Sequence, residues 1–243
     1  MKYKLDGVAV LIIFKADSEE RLINLSLILD FLLRYFEVNI HVLEVGKAPS
    51  LQLGNNVPGN LNYEFIPDEQ RPFHMTRYRN YLLASTSSEI IIHYDTDVIV
   101  DPASLFSIVN SIKDGSIDIG YPYDGRFYQV PLWFKRVYQK VRSYELLEHY
   151  TDCLQLAASH SLGGIFISSR SFCEGTGMEN EKILGWGPDD KDRFYKGIKA
   201  GARYRRAATP LYHLYHPVVL PDTRPADYSG FIQNFKEFIK NLD

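Results

Sequence analysis

The chain has 243 residues, two cysteines and a formal net charge of −3, with 45% hydrophobic and 23% charged residues. This composition describes a globular protein with a substantial core, and it excludes a general nucleic-acid binder, a disulfide framework and a cysteine-built zinc site. Cys153 and Cys173 read as reduced thiols of a cytoplasmic protein, and no stretch reaches the roughly 20 apolar residues of a membrane span.

In chain order, residues 7–14 are apolar throughout, as in a central parallel strand covered on both faces. Asp17 or Ser18 then caps a helix to about residue 36, whose Leu22, Leu25, Ile28, Leu29, Leu32 and Leu33 recur at helical spacing. A second strand over 38–45 completes a β-α-β unit, which predicts parallel strands with a right-handed crossover. No Gly-x-Gly-x-x-Gly follows the first strand, so the dinucleotide fingerprint is absent. Residues 46–60 read as a loop, 61–66 as a short strand and 75–84 as a helix with Arg77, Arg79 and Asn80 near its start. An arginine there offers a planar fork of donors to a phosphate or a base edge, although a lone arginine equally describes a surface ion pair.

The next strand ends in Asp95-Thr96-Asp97. Two carboxylates one residue apart at the carboxyl end of a central strand suit a divalent cation with a phosphate-bearing ligand. Aspartate is also common where strands stop, so this stretch alone describes a turn equally well. Pro102 opens a helix to about residue 113, 117–120 is a short strand, and 121–130 is aromatic and irregular. Residues 130–150 read as one helix bearing Lys135, Arg136, Lys140 and Arg142. A basic amphipathic helix can lie on a membrane, but a solvated face over a core stripe is the commoner reason for the pattern.

Gly163-Gly164 opens a further strand, where missing side chains let the backbone approach a ligand or form a bulge. Gly185-Trp186-Gly187-Pro188 leads into a helix from Asp189 to about residue 200. Acids in a first turn complement the helix dipole. Trp186 between two glycines, next to Asp189, Asp190 and Asp192, reads further as a mobile aromatic wall beside an acidic site. His213 and His216, three residues apart, can face one metal on a helical turn, or one of them can alone. A loop over 218–228 precedes a closing amphipathic helix over 229–242, with Phe231, Ile232, Phe235, Phe238 and Ile239 on one face.

Taken in this order, Asp95-Thr96-Asp97, Gly163-Gly164, Gly185-Trp186-Gly187-Pro188-Asp189-Asp190 and His213-x-x-His216 resemble the motifs of GT-A nucleotide-sugar glycosyltransferases. The likeness is to the β-1,4-galactosyltransferase type, polypeptide GalNAc-transferases and chondroitin-type polymerases. It runs from Val8 to about Pro217. It implies one α/β catalytic domain over 1–243, Rossmann-like, with a mixed, mostly parallel sheet flanked by helices. The nucleotide-binding half would be about 1–100 and the acceptor-binding half about 101–217, followed by the C-terminal helix.

The resemblance also implies roles. Asp97 and His216 match metal ligands, and His213 stands where galactosyltransferases place another. Imidazole ligands favour Mn2+ or a similar divalent metal over magnesium. Asp95 matches a contact to the nucleotide ribose or the metal's water shell, and Gly163 and Gly164 match the donor-sugar strand. Asp190 matches the catalytic base, while Asp189 and Trp186 match acceptor contacts, with Asp189 standing for the family's glutamate. The family's uridine-holding segment is reduced to Asp17, with Lys15 beside it. Arg77 and Asn80 match the arginine-asparagine segment before the metal strand.

The implied reaction is metal-dependent, inverting transfer of a hexose or N-acetylhexosamine from a UDP-sugar to a glycan or lipid-linked saccharide. The expected place is the cytoplasm, including the inner membrane face, without the amino-terminal anchor of animal Golgi enzymes. A nucleotidyltransferase would show a Gly-rich phosphate loop or extra paired acids, and neither is present. A non-catalytic domain that binds nucleotide-sugar or glycan is the other alternative. The retention of Asp97, Asp190 and His216 argues against it.

Overall fold

The apolar run near the N-terminus forms β1 (Tyr3–Phe14), whose residues 8–12 are enclosed on both faces. The structure, a computed structural model, describes residues 2–52, 58–70, 72–185, 187–217 and 228–241. Ser18 caps α1 (Glu19–Tyr35) by accepting from the Arg21 N–H, and the chain returns in β2 (Phe36–Gly46), parallel to β1. β3 (Leu61–Pro67) pairs parallel with β2. After α2 (Met75–Ala84), β4 (Ile90–Tyr94) enters on the other side of β1, again parallel.

β5 (Val98–Ile99) is followed by α3 (Pro102–Lys113), whose Asp101 cap accepts from the Ala103 and Ser104 N–H groups. Then come β6 (Ile119–Tyr121), β7 (Phe127–Val130), α4 (Leu132–Val141), α5 (Tyr144–His149) and β8 (Gln155–Ala158). β9 (Ile165–Ser169), α6 (Arg170–Gly175), α7 (Asp189–Lys199), β10 (Tyr204–Arg206), β11 (Leu211–Leu214) and α8 (Tyr228–Lys240) follow.

The main sheet has the order β10-β6-β9-β4-β1-β2-β3, and a second sheet has the order β5-β11-β7-β8. β9 runs antiparallel to both of its neighbours, β4 and β6. The sheet is therefore mixed and mostly parallel, with helices against it, as the α/β reading requires. Asp95-Thr96-Asp97 leaves the carboxyl end of β4 and runs directly into β5 of the second sheet. It lies where open α/β sheets place their ligands.

Four local expectations change. The helix read over 130–150 is two helices, because Arg142 takes a left-handed conformation, φ 53°, and stops α4. Lys135 does not belong to a solvated basic face, since its side chain is buried against Glu20. The aromatic stretch expected to be irregular contains β7, which pairs with both β11 and β8. On α8 the rings of Phe231, Phe235 and Phe238 pack in sequence, but Ile232 and Ile239 are exposed and the buried positions include Asn234 and Glu237. Asn234 accepts from the Leu184 N–H and donates to its carbonyl, so α8 pins the chain just before Gly185.

Candidate active site

A cleft of about 430 Å³ opens at the carboxyl ends of β1 and β4, on the scale of small-molecule sites. Lys15, Asp17 and Arg21 enter from the β1–α1 turn, and Phe73 and Arg79 from the chain around the start of α2. Asp95 to Asp97, Gly163, Gly164, Asp189, Asp190, His213 and His216 complete the walls that matter here.

Asp97, His213 and His216 each bring one ligand atom to within 4.8 Å of the others. The His213 Nε2 lies 3.6 Å from one Asp97 oxygen, and the His216 Nε2 3.2 Å from the other. The remaining ring nitrogens are engaged, with His213 Nδ1 3.0 Å from Gln129 Oε1 and His216 Nδ1 2.9 Å from the Pro217 carbonyl. A carbonyl only accepts, so His216 Nδ1 carries a proton and donates. Its Nε2 faces the Asp97 carboxylate. A carboxylate and two imidazoles brought this close form a donor set that fits a divalent metal of the Mn2+ kind. Burial raises the Asp97 carboxyl, but His213, His216 and Arg21 outweigh it and hold the group well below the usual carboxylate range.

The two histidines do not share a helical turn. His213 belongs to β11, and His216 lies just beyond the strand's end. Gln129 sits opposite His213 in the parallel β7–β11 register, which explains their pairing.

Opposite this group, the start of α7 brings Asp189 and Asp190 onto two enclosed arginines. Arg79 donates to Asp189 at 2.6 Å and lies 3.8 Å from both Asp95 and Asp190. Arg193 bonds Asp190 one helical turn away and Glu179 at 2.7 Å, while its guanidinium sits over the Phe166 ring. Asp190 remains 31% exposed, toward the cleft. Enclosure by the cleft walls, reinforced by Asp189, pushes its carboxyl up to about 7 despite the arginines. Enclosure pushes Asp95 up to about 6, with Arg79 opposing and Asp97 and Asp189 adding.

Gly163 lies directly beneath the base candidate, since a Cβ there would come within 2.6 Å of Asp190 Oδ2. Gly164 has φ +92°, a conformation that side chains rarely adopt, and its carbonyl accepts from the Asp95 N–H at 2.8 Å. Tyr123 donates to the Gly163 carbonyl and fixes the same turn.

Asp17, Asp95, Asp97, Gly163, Gly164, Asp189, Asp190, His213 and His216 thus meet in one cleft. Arg77 and Asn80 do not. Arg77 is exposed, and Asn80 bonds the backbone of Glu179 and the Glu181 carboxylate. Arg79 takes the cleft position instead. Its signal was helical spacing, because Thr76, Arg79 and Leu83 form one buried line on α2. Arg21, Gln129 and Arg193, by contrast, were not singled out from sequence. Trp186 and residues 218–227 lie outside the described residues.

No family model matches the chain, and no curated protein does. Among solved structures, the chain is similar to GalNAc-T7 with UDP, GalNAc and Mn2+, with a TM-score of 0.62 at 12% identity, covering 96% of this chain and 47% of that one. It is also similar to the mannosyltransferase PcManGT from Pyrobaculum calidifontis in complex with GDP-Man and Mn2+, with a TM-score of 0.50 at 14% identity, covering 88% of this chain and 58% of that one. The chain spans about half the length of each. At such low identity the likeness establishes architecture, and the architecture is the GT-A fold of glycosyltransferases.

Proposed function

We propose that this chain is a metal-dependent, inverting glycosyltransferase. It moves a hexose or N-acetylhexosamine from a UDP-sugar to a hydroxyl of a glycan or lipid-linked saccharide. One observation carries the reading, namely that Asp97, His213 and His216 share a single cleft with Asp190 and the Gly163-Gly164 turn. Asp97, His213 and His216 would hold the cation. When bound, such a cation supplies Lewis-acid stabilisation to the departing diphosphate.

The protein's own groups divide the remaining work. Asp17, Lys15 and Phe73 line the side of the cleft next to the carboxyl end of β1, where the nucleoside would lie, and Asp95 would meet its ribose. Gly163 and Gly164 leave room for the donor sugar beneath Asp190. Asp190 takes the proton from the acceptor hydroxyl as it attacks, and Arg193 fixes the carboxylate's direction. Asp189, anchored by Arg79, faces the acceptor. A single base opposite the leaving group implies inversion at the anomeric carbon.

The test is UDP release from a panel of UDP-hexoses and UDP-N-acetylhexosamines, with and without Mn2+. The expected result is Mn2+-dependent release with at least one donor, enhanced by acceptor. Nucleotide binding without turnover of any donor would support a non-catalytic sugar-binding domain instead.

The acceptor side adds a membrane contact to this reading. On α4, Trp133, Val137 and Val141 are exposed at four-residue spacing, with Trp133 61% exposed, and Arg136 and Lys140 lie exposed between them. An apolar stripe with basic flanks suits the headgroup level of an anionic bilayer. α4 begins just after Gln129, the partner of His213, so a bilayer there would bring lipid-linked acceptors near the cleft. Among the described residues no helix is long and apolar enough to cross a membrane. Co-sedimentation with phosphatidylglycerol-containing vesicles is expected, weakened by salt and by Trp133→Ala. Protein that stays in the supernatant at low salt would remove the membrane from the proposal.

A further inference from the structure

Alternate residues of a strand point to opposite faces, so residues three apart in an unbroken strand look away from each other. His213 and His216 nevertheless converge on Asp97. The chain must therefore leave strand geometry between them, and the two peptide carbonyls released there need partners away from water. Both find them in the same interior pocket. The Leu214 carbonyl accepts from Asn24 Nδ2 at 3.3 Å, and the Tyr215 carbonyl accepts from the same nitrogen at 3.3 Å and from Lys135 Nζ at 3.0 Å.

Both donors are fully buried, Asn24 on α1 and Lys135 on α4. Lys135 also donates to the Glu20 carbonyl at 3.2 Å and pairs with the Glu20 carboxylate. Glu20 thereby balances the ammonium, and the clamp adds no uncompensated positive charge beside a cation site. On the opposite side, the Leu214 N–H donates to the Asp97 carbonyl at 2.7 Å and the Tyr215 N–H to the Val130 carbonyl at 3.1 Å. The two residues between the histidines are thus held through both N–H groups and both carbonyls.

We infer that Lys135 and Asn24 are positioning residues for the metal centre. They hold the Leu214-Tyr215 backbone in the bend that turns His216 onto the same point as His213 and Asp97. This rests on the metal-site reading above, and it assigns a function to a buried lysine that does not line the cleft. A lysine kept in the interior only for packing could be replaced by an apolar side chain of similar length without consequence for the cation.

The experiment is titration of the metal-free protein with Mn2+ alone, followed by calorimetry and by the electron paramagnetic resonance of free Mn2+. Lys135→Met with Glu20→Gln removes the ammonium without leaving a buried charge unpaired, Asn24→Leu removes the other donor, and Lys135→Arg retains a donor. Loss of outer partners of metal ligands typically weakens affinity about 10- to 100-fold. A weakening of that size is expected for the first two variants, with substantial recovery in Lys135→Arg.

If the double variant and Asn24→Leu fold and bind Mn2+ within twofold of the parent, the inference is overturned even if their melting temperatures fall. If those variants do not fold, Asn24→Ala, which removes the same donor without added bulk, decides: Mn2+ affinity weakened about 10-fold or more supports positioning, and affinity within twofold of the parent overturns it. A parent protein that does not bind Mn2+ overturns the metal-site reading itself, a separable result.

Discussion

Asp97→Ala abolishes Mn2+-dependent binding of UDP, measured by calorimetry with nucleotide titrated in the presence and absence of the cation. The loss in cation affinity should exceed about 100-fold, beyond what removal of an outer partner typically costs. The physical reason is that Asp97 brings the only carboxylate of the Asp-His-His group, with one oxygen toward each histidine. Two imidazole ligands alone, being neutral when they coordinate, would leave the cation's charge unbalanced. Arg21 also lies 3.7 Å from Asp97 Oδ2, so the substitution leaves a cationic side chain facing the vacated position. The melting temperature of the metal-free variant separates this effect from a general loss of fold. Undiminished Mn2+-dependent UDP binding in a folded Asp97→Ala protein would mean that the cation sits elsewhere.

Asp190→Asn should leave donor binding nearly intact and lower kcat by about 10²–10⁴, the usual contribution of a positioned base. Asparagine keeps the shape and can still accept from Arg193, but it cannot take a proton at neutral pH. The parent enzyme's pH profile should carry the same signature. With the Asp190 carboxyl pushed up to about 7, the proposed base would be protonated and idle below that pH and competent above it. kcat/KM should therefore rise with pH through about 7 and then level, and the rise should vanish in the residual activity of Asp190→Asn. A parent profile flat from pH 5 to 9, or a variant with undiminished kcat, would move the base to another residue.

The parts of this fold that rest on local pattern were readable before the structure. β1 and α1 follow from an unbroken apolar run and a capped helical stripe, and the bounds of α2 fall where the periodicity puts them. The cleft residues were reached through the resemblance carried by the order of the motifs, since each motif alone describes a turn, a bulge or a helix start equally well.

What was not legible depends on partners distant in sequence. Helical spacing on α2 singles out Arg79, but only the neighbouring Asp189 and Glu179 explain a buried guanidinium there. The insertion of antiparallel β9 between β4 and β6 is a pairing decision that no single segment encodes. Arg142 breaks one expected helix into two through a left-handed turn that nothing in its side chain announces. His213 and His216 suggested a helical turn by spacing, whereas their meeting depends on a bend stabilised by α1 and α4.

The direct passage of Asp97 from one sheet into the other has a mechanical consequence. Asp97 lies on the short link between β4 of the main sheet and β5 of the second, while His213 lies on β11 of the second. A cation taken up by both would be a rivet at the seam where the two sheets join, assembled from distant stretches of chain. A ligand that binds only the assembled state draws the equilibrium toward it by mass action. Loading the site and locking the seam would then be one event, so the cleft would gain its stiffness at the moment it acquires the means to hold a diphosphate.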